Sequence, residues 1–188
     1  MEPQLSAIIG DLHAAVQRLD TLRSALPDAA WTRRPGVARW SPAECVAHLN
    51  LTSEALLPVL RAGLEQASKG PRPGSRYRRD LVGWVIWKVI APSARLRTRT
   101  VPAFMPPVEG SPAEVLADFE RLQSEIIACV RAAEGRAIDH VKLASPFDAR
   151  VRYNLYAALT LVPRHQHRHL LQAERAAAVV PEASALAG

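Results

Sequence analysis

The apolar residues of this chain repeat at helical spacing in four long segments. In the first, from about Glu2 to Ala25, large aliphatic residues recur every three or four positions. The second opens at Ser41 and the third at Ser111, both with the tetrapeptide Ser-Pro-Ala-Glu. In this tetrapeptide Ser can cap a helix, Pro suits the first turn, and Glu completes a capping box. The pattern predicts an all-α protein in which two helix starts are marked by the sequence.

The fourth segment carries an inward stripe that ends in two histidines. Its members step by three or four residues and predict one continuous helix: Val151, Leu155, Ala158, Val162, His165 and His169. Pro163 lies inside this segment and lacks a backbone N–H, so we expect a kink just before the histidines.

A long connection rich in Pro and Arg, Lys69 to Gly110, separates the second and third of these helices. Within it, Asp80 to Ile90 predicts a short extra helix that presents Trp84 and Trp87. Packing of this helix over the bundle is the favoured interpretation. The alternative is a surface for a membrane or nucleic acid. The role of the basic stretch Lys69 to Arg99 stays open.

The length of 188 residues suits one domain. We expect a helical bundle over residues 1–180 and a frayed tail over 181–188. Hydrophobic residues make up 48% and charged residues 22%, which is ordinary globular usage and argues against disorder.

The net charge and the cysteine content limit which binding partners and which cellular compartment we expect. The net charge of +6 has no nucleic-acid motif beside it, so we expect no nucleic-acid partner. The longest apolar run, Leu81 to Ala91, is about half of a membrane span and contains Lys88, so we expect no membrane partner. The N-terminal segment is interpreted as a helix, not a signal peptide. Cys45 and Cys129 form no CxxC pair, which favours reduced thiols and a cytoplasmic protein.

Three histidines form the candidate site. His165 and His169 are four residues apart on one helix, so their rings project from the same face and can share one ion. His48, two turns into the second long helix, is the candidate third ligand. Three imidazoles suit a divalent metal and leave a position for water or substrate, which is typical of catalytic sites. From spacing alone, the alternative of a histidine pair on a solvated face stays open.

The remaining chemistry-bearing residues receive structural roles. His167 should face outward, and His13 and His140 have no helical partner at ligand spacing and are predicted at the surface. Cys45 is predicted to be a small buried thiol, although it could ligate a metal. Glu44 could serve as a general base, but the capping box already accounts for it.

Two segments and one short motif resemble a known family. The segments are Trp40 to Leu49, with the sequence WSPAECVAHL, and Pro163 to Gln172, with the sequence PRHQHRHLLQ; the motif is Tyr153-Asn154-Leu155. Together they resemble the DinB-like superfamily of metal-dependent proteins, and the resemblance spans nearly the whole chain.

This resemblance implies an up-up-down-down four-helix bundle. It also implies a metal, zinc or nickel, held by His48, His165 and His169.

The resemblance leaves two functional hypotheses. The first is a metal-dependent enzyme, a thiol-dependent S-transferase or a hydrolase, that acts on a small molecule with a metal-bound water or thiol as the catalytic group. Its cofactors would be the divalent metal and a low-molecular-weight thiol. The carboxylates of this thiol would meet basic residues of the long connection Lys69 to Gly110. The alternative is a non-catalytic, metal-stabilised binding or stress-response module. A homodimer is compatible with both.

Overall fold

The computed structural model describes residues 1–68, 76–93, 101–106 and 111–179, and it is mostly helical. Its elements in chain order are α1 (Pro3–Ala25), α2 (Asp28–Trp31), α3 (Pro42–Gln66), α4 (Leu81–Val89), a 3-10 turn (Pro102–Phe104), α5 (Pro112–Ala132), β1 (Lys142–Ala144), β2 (Arg152–Asn154) and α6 (Leu155–Val179). Helices α3 and α1 each pack against both α5 and α6. These four long helices form the body of the protein.

Helices α1 and α6 run in the same direction. Near their first residues, the Gln4 amide donates a hydrogen bond to the Tyr156 hydroxyl. Near their last residues, Arg18 pairs with Glu174.

Helix α3 runs against α6. Gly63, near the end of α3, lies against the side chain of Leu155, the first residue of α6. His48, near the start of α3, contacts His169, which is well along α6. The antiparallel alignment therefore brings the histidines of the two helices to the same level.

Helices α3 and α5 are parallel. The Asn50 amide donates to the Val115 carbonyl near both starts, and Arg61 pairs with Glu125 further along. The directions of α1, α3, α5 and α6 are therefore up-down-down-up, and the up-up-down-down order implied by the resemblance is wrong. The long connection explains the order, because consecutive parallel helices need a crossover that returns along the bundle.

A small β-hairpin precedes α6. Strands β1 and β2 pair antiparallel, with Leu143 opposite Tyr153, and both side chains are buried in the core. The sequence prediction of an all-α fold missed this hairpin because each strand is three residues long, too short to show an alternating pattern.

Asn154 fixes where α6 begins. Its side-chain oxygen accepts a hydrogen bond from the Ala157 backbone N–H, and its amide donates to the carbonyls of Arg78 and Asp139. This capping starts the helix at residue 155. The inclusion of Val151 in the helical stripe was therefore wrong, since that residue precedes β2.

Both predicted capping boxes are present. The Ser41 hydroxyl accepts from the Glu44 backbone N–H at 3.2 Å, and the Ser111 hydroxyl accepts from the Glu114 backbone N–H at 3.1 Å. In each case the carboxylate accepts from the serine N–H in return. The sequence therefore marks the starts of α3 and α5 by the mechanism it predicted.

Helix α4 lies on α6 and begins at its cap, Asp80, whose side chain accepts from the Gly83 N–H. Trp87 packs against the core beneath a guanidinium, with Arg164 Cζ 3.4 Å from the indole centroid. Trp84 is 48% exposed. The packing role is thus confirmed for Trp87 and wrong for Trp84.

The apolar core has two parts, separated by a polar layer. One part holds the start of α1, the end of α3, the hairpin and the start of α6; the other holds the opposite ends of these helices. Between them the buried amides of Gln123 and Gln166 donate to each other's oxygen at 3.0 and 2.8 Å. The reciprocal bonds satisfy groups that would otherwise be costly to bury.

No helix of the described ranges is both long and apolar enough to cross a membrane. The tail predicted after Val180 and two parts of the basic stretch, 69–75 and 94–99, lie outside those ranges.

Gly83 is where α4 approaches α6 most closely. A Cβ at this position would lie 2.3 Å from the Ala157 Cβ, so Gly83→Ala should lower the free energy of unfolding by about 1–3 kcal/mol. Gly10 is the matched control: a Cβ there meets nothing within 4 Å, and Gly10→Ala should add about 0.5–1 kcal/mol. Chemical denaturation of both variants measures the difference, and equal stabilities would contradict the close α4–α6 contact.

Candidate metal centre

Two helices bring the three predicted histidines together. His48 lies on the second turn of α3, and His165 and His169 lie one turn apart on α6. One ligand nitrogen from each ring can be chosen so that all three lie within 4.8 Å of one another. His48 is buried and the two α6 rings are partly buried. The solvated-face alternative for the histidine pair is thereby excluded, and the three residues could hold a metal ion.

The spacing of the rings suits one ion. The ring centroids are 4.5 to 5.2 Å apart. Nitrogen ligands around a tetrahedral zinc, at 2.0–2.1 Å from the metal, are about 3.3 Å from one another. The ligand nitrogens of the triad, all within 4.8 Å of one another, are separated by at most about 1.5 Å more than this.

Hydrogen bonds orient two of the rings. His48 Nδ1 lies 2.8 Å from the Phe104 carbonyl, and a carbonyl oxygen only accepts, so Nδ1 carries the proton. His169 Nδ1 lies 3.1 Å from the Gln172 side-chain oxygen and donates to it. In both rings Nε2 is then left unprotonated as a metal ligand. A metal-binding histidine ordinarily donates its second N–H in this way, so the donor set fits a metal.

The surroundings keep the imidazoles neutral. Burial lowers the pKa of His48, and the bond to Phe104 only partly opposes this. Burial, with the neighbouring His48 and Arg168, lowers the pKa of His165 to about 3. The pKa of His169 falls well below its usual value, mainly through burial and also through the other two rings and Arg168. Neutral imidazole is the form that binds metal.

Trp40 forms a wall of the site. Its ring lies 4.9 Å from that of His48, centroid to centroid, and stacks on His169 at 5.9 Å with 30° between the planes. A large apolar ring here restricts water and fixes the imidazole rotamers.

The triad opens onto a cavity of about 1030 Å³. Its wall combines apolar and aromatic side chains from α3, α4, α6, the 3-10 turn and the hairpin loop with a few charged groups. The charged side chains of the described wall are Arg39, Asp148, Arg168 and Arg175. A concave, mostly apolar space with few polar groups is typical of small-molecule sites.

The other histidines lie elsewhere. His13 and His140 are exposed, as predicted. His167 is outside the triad, as predicted, but it does not simply face solvent: its Nε2 lies 3.1 Å from the Asp11 carbonyl of α1.

Cys45 and Glu44 take the structural roles predicted for them. Cys45 is fully buried, and burial raises the pKa of its thiol, so it stays protonated. Burial of Glu44 opposes its ionisation, but hydrogen bonds from Arg34 and Ser41 outweigh this and lower its pKa. Glu44 is thus occupied by an ion pair and a helix cap.

Sequence reasoning missed the groups around the triad. Gln172 carried a usable signal, since it lies three residues after His169 and therefore on the same helix face. Trp40 is the first residue of the segment WSPAECVAHL, and its position there does not indicate a contact with the histidines. Phe104 carried no signal, because its backbone carbonyl makes the contact and any residue could supply one.

The fold and the site define a helical-bundle protein with a three-histidine candidate metal centre. The model of the DinB superfamily matches residues 11–173, and the chain belongs to this superfamily. Neither a curated protein nor a solved structure gave a significant match.

Metal content tests the triad. Elemental analysis of untagged protein should give about one equivalent of divalent metal. His169→Ala should retain little after dialysis, whereas His167→Ala, on the same helix but outside the triad, should retain the wild-type amount. Gln172→Ala should weaken metal affinity by about 10- to 100-fold, because it releases the ring of His169. Equal metal content in all variants, or none in wild type after reconstitution, would contradict the site.

The Glu44 cap should depend on pH. Since the folded-state pKa is lowered, its stabilisation is complete above the unfolded pKa of about 4.3 and is lost as pH falls through the lower folded value. Glu44→Gln should lower the free energy of unfolding by about 1 kcal/mol at pH 7, and by progressively less below about pH 4. Urea unfolding of both proteins across this range measures the gap, and a gap independent of pH would contradict the assignment.

Proposed function

We propose that this protein is a metal-dependent enzyme that acts on a small molecule bound in the cavity beside His48, His165 and His169. The observation that carries the proposal is the convergence of three neutral imidazoles on the wall of a cavity large enough for a substrate. Three ligands leave a coordination position open, which a purely structural metal site does not need.

When bound, a divalent metal would act as a Lewis acid and lower the pKa of a water or thiol. The residues of this chain have separate tasks. Phe104 and Gln172 orient imidazoles through their Nδ1 atoms, and Trp40 restricts water beside them. Zinc and nickel are the metals proposed, since both accept imidazole nitrogen.

Within this function, we favour a thiol-dependent S-transferase over a hydrolase. Three arginines line the described cavity wall against one aspartate, so the space suits an anionic ligand such as a thiol that carries carboxylates. These arginines are Arg39, Arg168 and Arg175. None of them belongs to the long connection Lys69 to Gly110, from which the sequence predicted the thiol-binding cations. In the transfer, the thiol sulfur bonds to an electrophilic carbon, the leaving group departs with the electron pair, and the thiol proton goes to solvent.

A cytoplasmic location belongs to the same proposal. Both cysteines are free and buried, which suits a reducing compartment, and low-molecular-weight thiols are abundant there.

Turnover by the metal-loaded protein tests the proposal. Zinc- or nickel-loaded protein is assayed with bacillithiol, mycothiol and glutathione against a panel of electrophiles, and separately with ester and amide substrates. We expect thiol conjugation, lost in His169→Ala and kept in His167→Ala. Arg175→Gln should raise KM for the thiol with little change in kcat, because an exposed arginine contributes binding and not chemistry. Arg131→Gln, an exposed change on α5 outside the cavity, is its control.

Three outcomes would overturn the proposal or its transferase part. Absence of turnover and of thiol binding by calorimetry removes the transferase, and turnover of esters alone replaces it with a hydrolase. Absence of all turnover, combined with a lower melting temperature after chelation, leaves the non-catalytic alternative in which the metal ties α3 to α6.

A further inference from the structure

Helix α4 exposes an apolar face that its own packing prevents it from burying. Leu81, Val82, Trp84 and Val85 are 75%, 42%, 48% and 45% exposed. On a helix these positions span an arc centred opposite Gly83: Leu81 and Val85 lie nearly across from it, and Val82 and Trp84 lie about 100° to either side. Gly83 itself is buried against α6. The contact with α6 tolerates no side chain at that position, so the helix cannot rotate its apolar face inward.

Polar contacts at the N-terminus of this helix and on its inner side hold it in place. Its cap Asp80 pairs with Lys142 of β1, and on its inner side the Arg164 Nε donates to the Trp87 carbonyl. The helix is thus a rigid platform with hydrophobic side chains on the outside. A contiguous exposed apolar patch of this kind marks an interaction surface.

The sequence on either side of α4 is strongly basic. Residues 69–99 hold nine of the 24 Lys and Arg of the chain but one of its 18 Asp and Glu, so the chain without them would be slightly acidic. Among the residues that the structure describes, Arg78 and Lys88 are exposed and no carboxylate forms an ion pair with either. Lys88 lies over Trp84, with its Nζ 5.8 Å from the ring centroid, at the edge of the apolar face.

We propose that α4 docks this protein on the surface of an anionic phospholipid membrane. Trp84, Leu81 and Val85 would enter the boundary between headgroups and acyl chains, and the exposed cations Arg78 and Lys88 would meet the lipid phosphates. A tryptophan beside aliphatic residues and a lysine is the side-chain set that this boundary favours. The protein would lie on the bilayer, and the proposal replaces the sequence-based prediction of no membrane partner.

The same observations disfavour two other occupants. A second copy in a two-fold dimer would bring Arg78 and Lys88 of one chain towards the same cations of its partner, and the like charges would oppose this. Nucleic acid would meet the cations, but the exposed leucine and valines offer its bases no stacking or hydrogen bonding. An anionic lipid surface complements both the charge and the apolar face.

Vesicle sedimentation with the full chain tests the proposal. We expect binding to phosphatidylcholine vesicles that contain phosphatidylserine, weaker binding without it, and a loss of binding as salt is raised. The double change Leu81→Gln and Trp84→Gln should lower the partition coefficient at least about tenfold. Val179→Gln, a change of an exposed apolar residue at the end of α6, should leave it unchanged.

A charge variant gives an independent readout. Lys88→Gln should weaken binding to the anionic vesicles and flatten its salt dependence, while Arg23→Gln, an exposed cation on α1, should do neither. Unchanged melting temperatures show that the variants remain folded.

Three results would overturn the proposal. One is no vesicle binding at low salt. Another is binding to single-stranded DNA but not to vesicles. The third is a dimer, seen by sedimentation velocity, that the double change dissociates while vesicles remain unbound. None of these results bears on turnover at the histidine triad. The membrane proposal is therefore tested independently of the proposed enzymatic function.

Discussion

The antiparallel contact between α3 and α6 is the interaction on which the rest of the structure depends. It places His48 of one helix against His165 and His169 of the other, within a partly buried interface. Three imidazoles with lowered pKa values in one apolar wall are costly without a partner, and a metal ion is the partner that suits them.

The long connection between α3 and α5 links the topology to the chemistry. A crossover is required because α3 and α5 are parallel. This connection does more than span the distance between the two helices. Its 3-10 turn supplies the Phe104 carbonyl that fixes the His48 tautomer, and its helix α4 closes over α6. The same segment carries the entire net positive charge of the chain and the exposed tryptophan. Site geometry and surface character therefore come from one stretch of chain.

The sequence predicted best what depends on local rules. The capping boxes at Ser41 and Ser111, the span of α4 and the i, i+4 pairing of His165 and His169 each follow from residues within one or two helical turns. It failed where partners are distant or elements are short. The hairpin consists of two three-residue strands, and the helix directions depend on which faces meet across the bundle.

By itself, then, the sequence determined the four long helices, the starts of α3 and α5 and the three candidate ligands, because periodicity and capping are encoded in neighbouring residues. Only the tertiary structure decided the up-down-down-up order, the roles of Trp40 and Phe104 around the triad, and the exposure of Trp84. Each of these is set by contacts between residues far apart in the chain. A backbone carbonyl has no sequence signature, and the outward face of α4 is fixed by what a glycine allows on the opposite side.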